Sequence, residues 1–225
     1  MLISLGLPGA GQHLLGQGRR WVYLAIEVLG WSFYVDRRRA GADFRHQYRD
    51  LAWNQARIQS GTRIDAGFAY YETLMHWTRS GAFDRQPITP GLQPEVNPTS
   101  FNGSIWDLAA RIFLHGRPGV PESDPSYQRA LEYYTERAYA TEFLWDWTAT
   151  GGAQQEFSRL ITESDDRFRQ ATNVLGAVLA NHVISSVDAY LTARGLSPHV
   201  EASIAPGLGL TDPRWFGWVS IPMPR

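Results

Sequence analysis

Residues 171–193 read ATNVLGAVLANHVISSVDAYLTA, and this stretch decides the class of fold. Its only ionisable side chains are those of His182 and Asp188. A helix needs roughly 20 apolar residues to cross a bilayer, so this segment is long enough to span one. The alternative is the central helix of a soluble bundle, which is also hydrophobic all round because it is buried.

Small residues recur in this segment at helical spacing. Gly176 is followed four residues later by Ala180, and Ser185 by Ala189. Such steps let a second helix backbone approach closely, which is how helices associate in lipid. The sequence therefore predicts that another helix packs against this segment.

Two shorter apolar segments, residues 2–15 and 21–35, lie near the start of the chain. Each is shorter than the roughly 20 residues of a straight span. Pro8, Gly9 and Gly11 would also interrupt a helix in the first segment, so the pair predicts a re-entrant or interfacial hairpin. A signal peptide is the alternative, but no basic residue precedes the apolar run and no small-residue cleavage site follows it.

The second of these segments is flanked by residues typical of the lipid headgroup region. Trp21 stands at one end and Trp31 near the other, followed by Arg37, Arg38 and Arg39. Aromatic belts and arginines are enriched at that depth, and arginines favour the cytoplasmic side. We therefore expect a membrane protein whose polar middle region is cytoplasmic.

Each apolar helix carries a carboxylate, Glu27 in one and Asp188 in the other. A carboxylate in such a setting is costly unless it has a partner. We therefore expect the two helices to pack together, with Glu27 facing a polar stripe. The stripe consists of Asn181, Ser185 and Asp188. The alternative is that Glu27 reaches back to Arg19 or Arg20 at the interface.

Composition excludes several kinds of chemistry. The 225 residues include 21 arginines, no lysine and no cysteine, with a net charge of -1. Thiolate catalysis, cysteine-ligated metals and lysine-based mechanisms are therefore excluded, and generic nucleic-acid binding has no electrostatic support. The chain also lacks a Gly-x-Ser-x-Gly elbow and a dinucleotide-binding fingerprint. These exclusions predict a protein that is not an enzyme.

The six histidines show no spacing that would put two of them on one helical face as metal ligands. We therefore predict no metal site and no cofactor. His182 is the one candidate cofactor ligand, because it is an imidazole on an otherwise apolar helix. Its alternative role is hydrogen bonding to polar neighbours in the same helix.

Aromatic residues are dense in the middle of the chain, and Trp145 and Trp147 exemplify them. Their spacing puts rings on more than one helical face, more than a single core face would bury. Tryptophan and arginine are the residues enriched at interface anchors. We therefore predict that both tryptophans contribute to a partner interface.

The resulting organisation is all-α and membrane-associated, with an N-terminal apolar hairpin packed on a late apolar helix and amphipathic helices lying on the membrane surface between them. Helices are expected over residues 43–60, 66–79, 104–116 and 127–147, and from 154 onward. Ser104 is the expected cap of the third of these helices, with Asp107 as its capping-box partner. The predicted regions are a hairpin at 1–40, a helical region at 41–170 with a linker at 86–100, a membrane helix at 171–194, and a Pro/Gly-rich, irregular or β-like tail at 195–225.

Two motifs resemble a family of uncharacterised bacterial membrane-associated proteins, a domain of unknown function. The first is Leu7-Pro8-Gly9-Ala10-Gly11-Gln12 and the second is Asn181 followed by Val187-Asp188-Ala189-Tyr190-Leu191. The likeness covers mainly residues 4–40 and 170–215. The resemblance implies association with a bacterial membrane, which we take to be the inner membrane. No catalytic activity, cofactor or substrate follows from it.

We expect a non-enzymatic accessory or scaffolding subunit of a larger bacterial membrane complex. Its expected partners are other membrane protein subunits and the lipid bilayer. No binding to nucleic acid is expected. An energy-converting complex, photosynthetic or respiratory, is suggested by His182 and the apolar helices alone. The alternative is a self-contained envelope protein that binds lipid or a hydrophobic ligand between Glu27 and Asp188.

Overall fold

The computed structural model describes residues 2–58, 61–117 and 119–196, together with two strands of the tail. Seven α-helices follow one another along the described chain. They are α1 (Leu2–Gly6), α2 (Ala10–Leu14), α3 (Arg20–Leu51), α4 (Phe68–His76), α5 (Phe101–Ala109), α6 (Pro125–Arg137) and α7 (Ala153–Ala193). Short π-helical turns extend α3 over Ala52–Ala56 and α5 over Ala110–Leu114. The all-α fold class is confirmed for the described residues up to 196.

In the tail, strands β1 (Glu201–Pro206) and β2 (Trp215–Ser220) form an antiparallel pair in which Glu201 lies opposite Ser220. A β-like element was expected in this region. The rest of the predicted tail after residue 196 lies outside the described residues.

Two of the helices are much longer than the others. Helix α3 runs through 32 residues without interruption, although the sequence predicted separate helices at 21–35 and 43–60. No proline lies between residues 21 and 51, so every backbone N–H in that stretch is available for the helical ladder. Helix α7 has 41 residues and is the one helix of the described chain that is long and apolar enough to cross a membrane, by length and composition.

The chain divides into two compact units. Unit 1 comprises residues 1–39 and 167–225, and unit 2 comprises residues 40–166. Helices α3 and α7 each contribute one end to unit 1 and the other to unit 2. The hairpin and the late apolar helix of the sequence prediction therefore belong to the same unit.

Unit 2 has its own aromatic core instead of the expected layer of surface helices. The ring of Trp145 is fully buried and meets that of Tyr70 edge to face at 5.7 Å, and Trp147 packs against Phe157 at 5.1 Å. Buried aromatic pairs of this kind contribute beyond their area alone. The two tryptophans predicted to anchor a partner are therefore core residues, which corrects that prediction.

The predicted helix 127–147 is shorter in the structure. Helix α6 begins after the cap Asp124, whose carboxylate accepts from the N–H of Ser126 at 2.7 Å, and it ends at Arg137. Beyond it the backbone is extended, apart from a short 3-10 turn at Thr141–Phe143, and the N–H of Tyr139 donates to Asn102 Oδ1 at 2.8 Å. The extended backbone carries Trp145 into the core, which explains why the helical spacing was misleading.

Helix α5 begins earlier than predicted, because Ser100 and not Ser104 is its cap. The Ser100 hydroxyl accepts from the N–H of Gly103 at 3.2 Å. A Cβ atom at Gly103 would lie 1.9 Å from the carbonyl oxygen of Asn97, so only glycine fits this turn. The capping signal was present in the sequence, but it was assigned one turn too late.

The predicted linker 86–100 is held in place by Glu95. Its carboxylate accepts from the backbone N–H groups of Ala82, Val96 and Asn97 at 2.9–3.1 Å. Burial opposes ionisation of Glu95, yet these backbone donors outweigh that effect and hold its pKa below the usual range. The segment is thus a loop fastened to unit 2.

Candidate functional site

Unit 1 has the reverse of the usual distribution of polarity. Many of its outward side chains are large and apolar, whereas its buried side chains are polar groups together with Pro8, Ala171, Val178 and Ala189. The exposed apolar set includes Ile3, Leu7, Leu14, Val22, Val28, Leu29, Leu179, Val183, Ile184 and Val187. The buried polar set includes Ser4, Gln12, Asn181, Ser185 and Ser186. Exposed apolar side chains in this number are unusual for a protein surface in water. The polar groups that they enclose are the candidate functional site.

The interior begins at the break between α1 and α2. Pro8 ends α1, and Gly9 follows with a positive φ of 89°. A Cβ atom at Gly9 would lie 2.7 Å from the carbonyl oxygen of Arg20, so the close approach of α3 also requires glycine there. The break therefore depends on the Pro-Gly pair of the N-terminal motif.

Two serines satisfy the backbone donors that the break exposes. The N–H of Gly9 donates to Ser185 Oγ and the N–H of Gly11 donates to Ser4 Oγ, both at 2.8 Å. A Cβ atom at Gly11 would lie 2.5 Å from Ser4 Oγ and 2.7 Å from Cβ of Ala189. The second glycine of the motif thus lets α2 lie directly against the Ser185–Ala189 step of α7.

Gln12 connects this hairpin to α7 and is fully buried. Its Nε2 donates to the carbonyl oxygen of Ser185 and to Asp188 Oδ2, both at 2.8 Å. Its Oε1 accepts from Ser185 Oγ at 3.2 Å, and Ser4 Oγ lies 3.5 Å away. A buried amide needs both its donors and its acceptor satisfied, and Gln12 meets that condition. The glutamine of the motif is therefore the centre of the network.

Asp188 also forms an ion pair with Arg19. Arg19 Nη1 lies 3.0 Å from Asp188 Oδ1, and Arg19 Nη2 donates to Thr192 Oγ1 at 3.1 Å. Both side chains of the ion pair are mostly buried. A carboxylate that accepts from both an arginine and an amide is well compensated for its loss of solvent. The start of α3 is thereby fixed to the end of α7.

Glu27 has a different set of partners. It accepts from Trp31 Nε1 at 2.8 Å and from Asn181 Nδ2 at 3.3 Å, and its Oε1 lies 3.0 Å from Nε2 of His182. The other ring nitrogen of His182 lies 2.7 Å from the carbonyl oxygen of Leu5, one of the last carbonyls of α1. Both nitrogens face acceptors, so the imidazolium form would donate to both.

The structure thus separates residues that the sequence grouped. It brings Glu27 to Asn181, whereas Ser185 and Asp188 bind the α1–α2 hairpin and Arg19. The alternative was that Glu27 reaches Arg19 or Arg20. In the described part of the chain, however, Glu27 binds Trp31, Asn181 and His182, while Arg19 pairs with Asp188 and Arg20 lies over Trp21. Sequence reasoning missed Ser4 and Gln12 as members of the network, although Gln12 was part of the quoted motif.

The residues of unit 1 that were predicted to lie at an interface, at the depth of the lipid headgroups, all belong to helix α3. Trp21 and Trp31 are exposed. Arg37 lies over the ring of Phe33 at 4.4 Å, Arg38 lies over the ring of Phe168 at 5.6 Å, and Arg39 is exposed. These five residues are therefore at the surface or only partly covered, in contrast to the two buried tryptophans of unit 2.

Comparisons with known protein families, with curated proteins and with solved structures found no match for this chain. The site therefore has to be interpreted from its own geometry. In the described part of the chain, no group of three or more His, Asp or Glu side chains is placed to hold a metal ion. Both nitrogens of His182, the candidate cofactor ligand, are engaged by Leu5 and Glu27.

These contacts hold the helices of unit 1 together. Four elements, α1, α2, the start of α3 and the end of α7, are joined through polar groups that satisfy one another. In lipid, a broken helix is tolerated only where protein covers its free backbone groups. The network supplies that cover through Ser4, Ser185 and His182.

Proposed function

We propose that unit 1 is embedded in a bilayer and that the protein is a non-enzymatic accessory or scaffolding subunit of a larger bacterial membrane complex. The observation that carries the first part is the reversed polarity of unit 1, with polar groups paired inside and apolar side chains outside. Water would penalise that arrangement, whereas hydrocarbon favours it. The resemblance of the N-terminal motif to membrane-associated proteins agrees with this proposal.

The outward face of α7 supports the second part. Gly176, Ala180, Val183 and Val187 recur along the helix on the side opposite the polar network, and a Cβ atom at Gly176 would meet nothing within 4 Å. The other small-residue step, Ser185 and Ala189, is already occupied by α2. A smooth apolar face of this kind suits a partner helix better than lipid chains alone.

Arg37, Arg38 and Arg39 favour a topology in which unit 2 is cytoplasmic and the membrane is the inner one. The suggestion of an energy-converting complex was based on His182 and the apolar helices, and only His182 as a cofactor ligand pointed to that kind of complex. Because both ring nitrogens have protein partners, that suggestion is not part of the proposal. The alternative ligand site between Glu27 and Asp188 is also not favoured, because each carboxylate is already bound to protein groups.

Replacing Ala180 with leucine should disrupt the complex without unfolding the chain. We expect the wild-type chain, tagged and purified from its own host in mild detergent, to carry partner subunits at a fixed ratio. The A180L variant should lose them, because the larger side chain prevents close approach of a second helix. The measurement is the mass and stoichiometry of the purified particle.

The matched control is Ala177→Leu, which makes the same change on an exposed flank of the same helix. It should keep the partners. A wild-type chain that runs as a monomer or small homo-oligomer with no partner at fixed ratio would contradict the subunit proposal.

A further inference from the structure

An apolar cleft opens on unit 1 beside the polar network, and Gly9 and His13 contribute to its lining. It lies between the α1–α2 hairpin and the start of α3 and has a volume of about 490 Å³. Its walls include Ile3, Leu7, Pro8, Trp21 and Leu24. This volume falls within the range of roughly 300–1,000 Å³ that ligand clefts have.

Among the described residues, Arg20 lines this cleft without a carboxylate partner, and its guanidinium lies over the ring of Trp21 at 5.2 Å. The neighbouring Arg19, by contrast, is paired with Asp188 at 3.0 Å. The Nε of Arg20 is buried without a hydrogen-bond partner in the described part of the chain, but so is that of Arg57, whose other guanidinium nitrogens bond to backbone carbonyls. An anion is expected here because the whole guanidinium lies beside an apolar cleft with no carboxylate to balance its charge.

We propose that this cleft binds one anionic phospholipid, with an acyl chain along the apolar walls and the phosphate on Arg20. The combination of apolar walls and a single unpaired arginine fits that ligand in both chemistry and charge. Trp21, whose ring adjoins Arg20, is of the residue type that lies at headgroup depth. The inference depends on the proposed embedding of unit 1, but not on the proposed partner subunits.

Arginine donates in a planar fork to phosphate oxygens, which distinguishes an anionic lipid from a purely hydrophobic ligand. Phosphatidylglycerol carries a net negative charge, whereas phosphatidylcholine has the same phosphate balanced by a quaternary amine. One arginine near an anionic headgroup contributes about a fivefold preference. The expected selectivity is therefore for phosphatidylglycerol by about that factor.

The test uses the full chain in mild detergent, supplied with equal amounts of phosphatidylglycerol and phosphatidylcholine of the same chain length. Native mass spectrometry then counts the phospholipid retained on each chain. We expect the wild type to retain one phosphatidylglycerol about fivefold more often than one phosphatidylcholine. The Arg20→Gln variant should lose this preference.

The matched control is Arg194→Gln, which removes an exposed arginine outside the cleft lining, one that lies over the ring of Tyr190. It should keep the preference. Equal losses in R20Q and R194Q would mean that surface charge in general selects the lipid, and would overturn the proposal. So would a wild type with no preference between the two lipids.

A second variant leaves every charge in place. Ala10→Phe puts a ring into the cleft and should reduce retention of both phospholipids, with circular dichroism confirming the helical content. Undiminished retention in A10F overturns the proposal.

Displacement of the lipid by glycerol phosphate alone would also overturn the proposal, because it would indicate a soluble phosphate as the ligand. Failure of the subunit proposal, a particle without partners, leaves these lipid counts unaffected.

Discussion

Replacing Trp145 with alanine is expected to lower the free energy of unfolding of the protein by about 3–5 kcal/mol. The side chain is fully buried, and its ring lies within 6 Å of the rings of Tyr70, Phe101 and Tyr139. Its Nε1 also donates to the carbonyl oxygen of Trp77 at 2.9 Å. The substitution would leave a large cavity and an unsatisfied carbonyl group, and both effects destabilise the folded state.

The measurement is denaturant unfolding of the full chain in detergent, followed by near-ultraviolet circular dichroism. Trp145→Phe is the control, because it keeps most of the ring volume and loses only the indole donor, so its effect should be much smaller. If Trp145 were an interface anchor, W145A would leave stability unchanged and weaken association. A loss below about 1 kcal/mol would contradict the core position of this residue.

Gln12→Leu is expected to destabilise unit 1 by about 2 kcal/mol. Leucine has nearly the same size but makes none of the contacts of the amide with Ser185 and Asp188. Hydrogen bonds between membrane helices contribute about 0.6 kcal/mol each on average, and several are lost together here. The groups left behind remain buried without these partners, which is the costly way to remove a hydrogen bond.

Helical content during titration with a denaturing detergent measures this effect. His13→Leu is the matched control, because it is a polar-to-leucine change at the next position of α2 with an exposed side chain. It should change stability by no more than about 0.5 kcal/mol. A Q12L chain as stable as H13L would show that the network does not hold the hairpin to α7.

Sequence patterns were most informative where one physical cause dominated. A proline followed by two spaced glycines has few structural uses, so the break at Pro8 and Gly9 could be predicted from the residue types. The length and polarity of 171–193 likewise indicated a long apolar helix. In both places the local chemistry was sufficient, without knowledge of distant contacts.

Patterns were misleading where distant partners decided the outcome. The aromatic spacing around Trp145 is compatible with a helix, but pairing of its backbone with Ser80 draws that segment into extended form. Within unit 1, two carboxylates and two amides lie close enough in sequence pattern to allow several pairings. Only the folded chain shows that Asp188 pairs with Arg19 and Gln12 while Glu27 takes Asn181 and His182.

The central claim, that unit 1 is embedded in a bilayer, can be tested with single cysteines, because the chain has none of its own. Val28 in unit 1 and Val96 in unit 2 are similarly exposed, at 57% and 53%, and Val28 lies outside the face of α7 proposed to bind a partner helix. The test labels V28C and V96C with a membrane-impermeant maleimide in opened membrane vesicles, where both aqueous faces are accessible. We predict rapid labelling of V96C and no labelling of V28C until detergent and denaturant are added. Labelling of V28C in the intact bilayer at the rate of V96C would contradict the account.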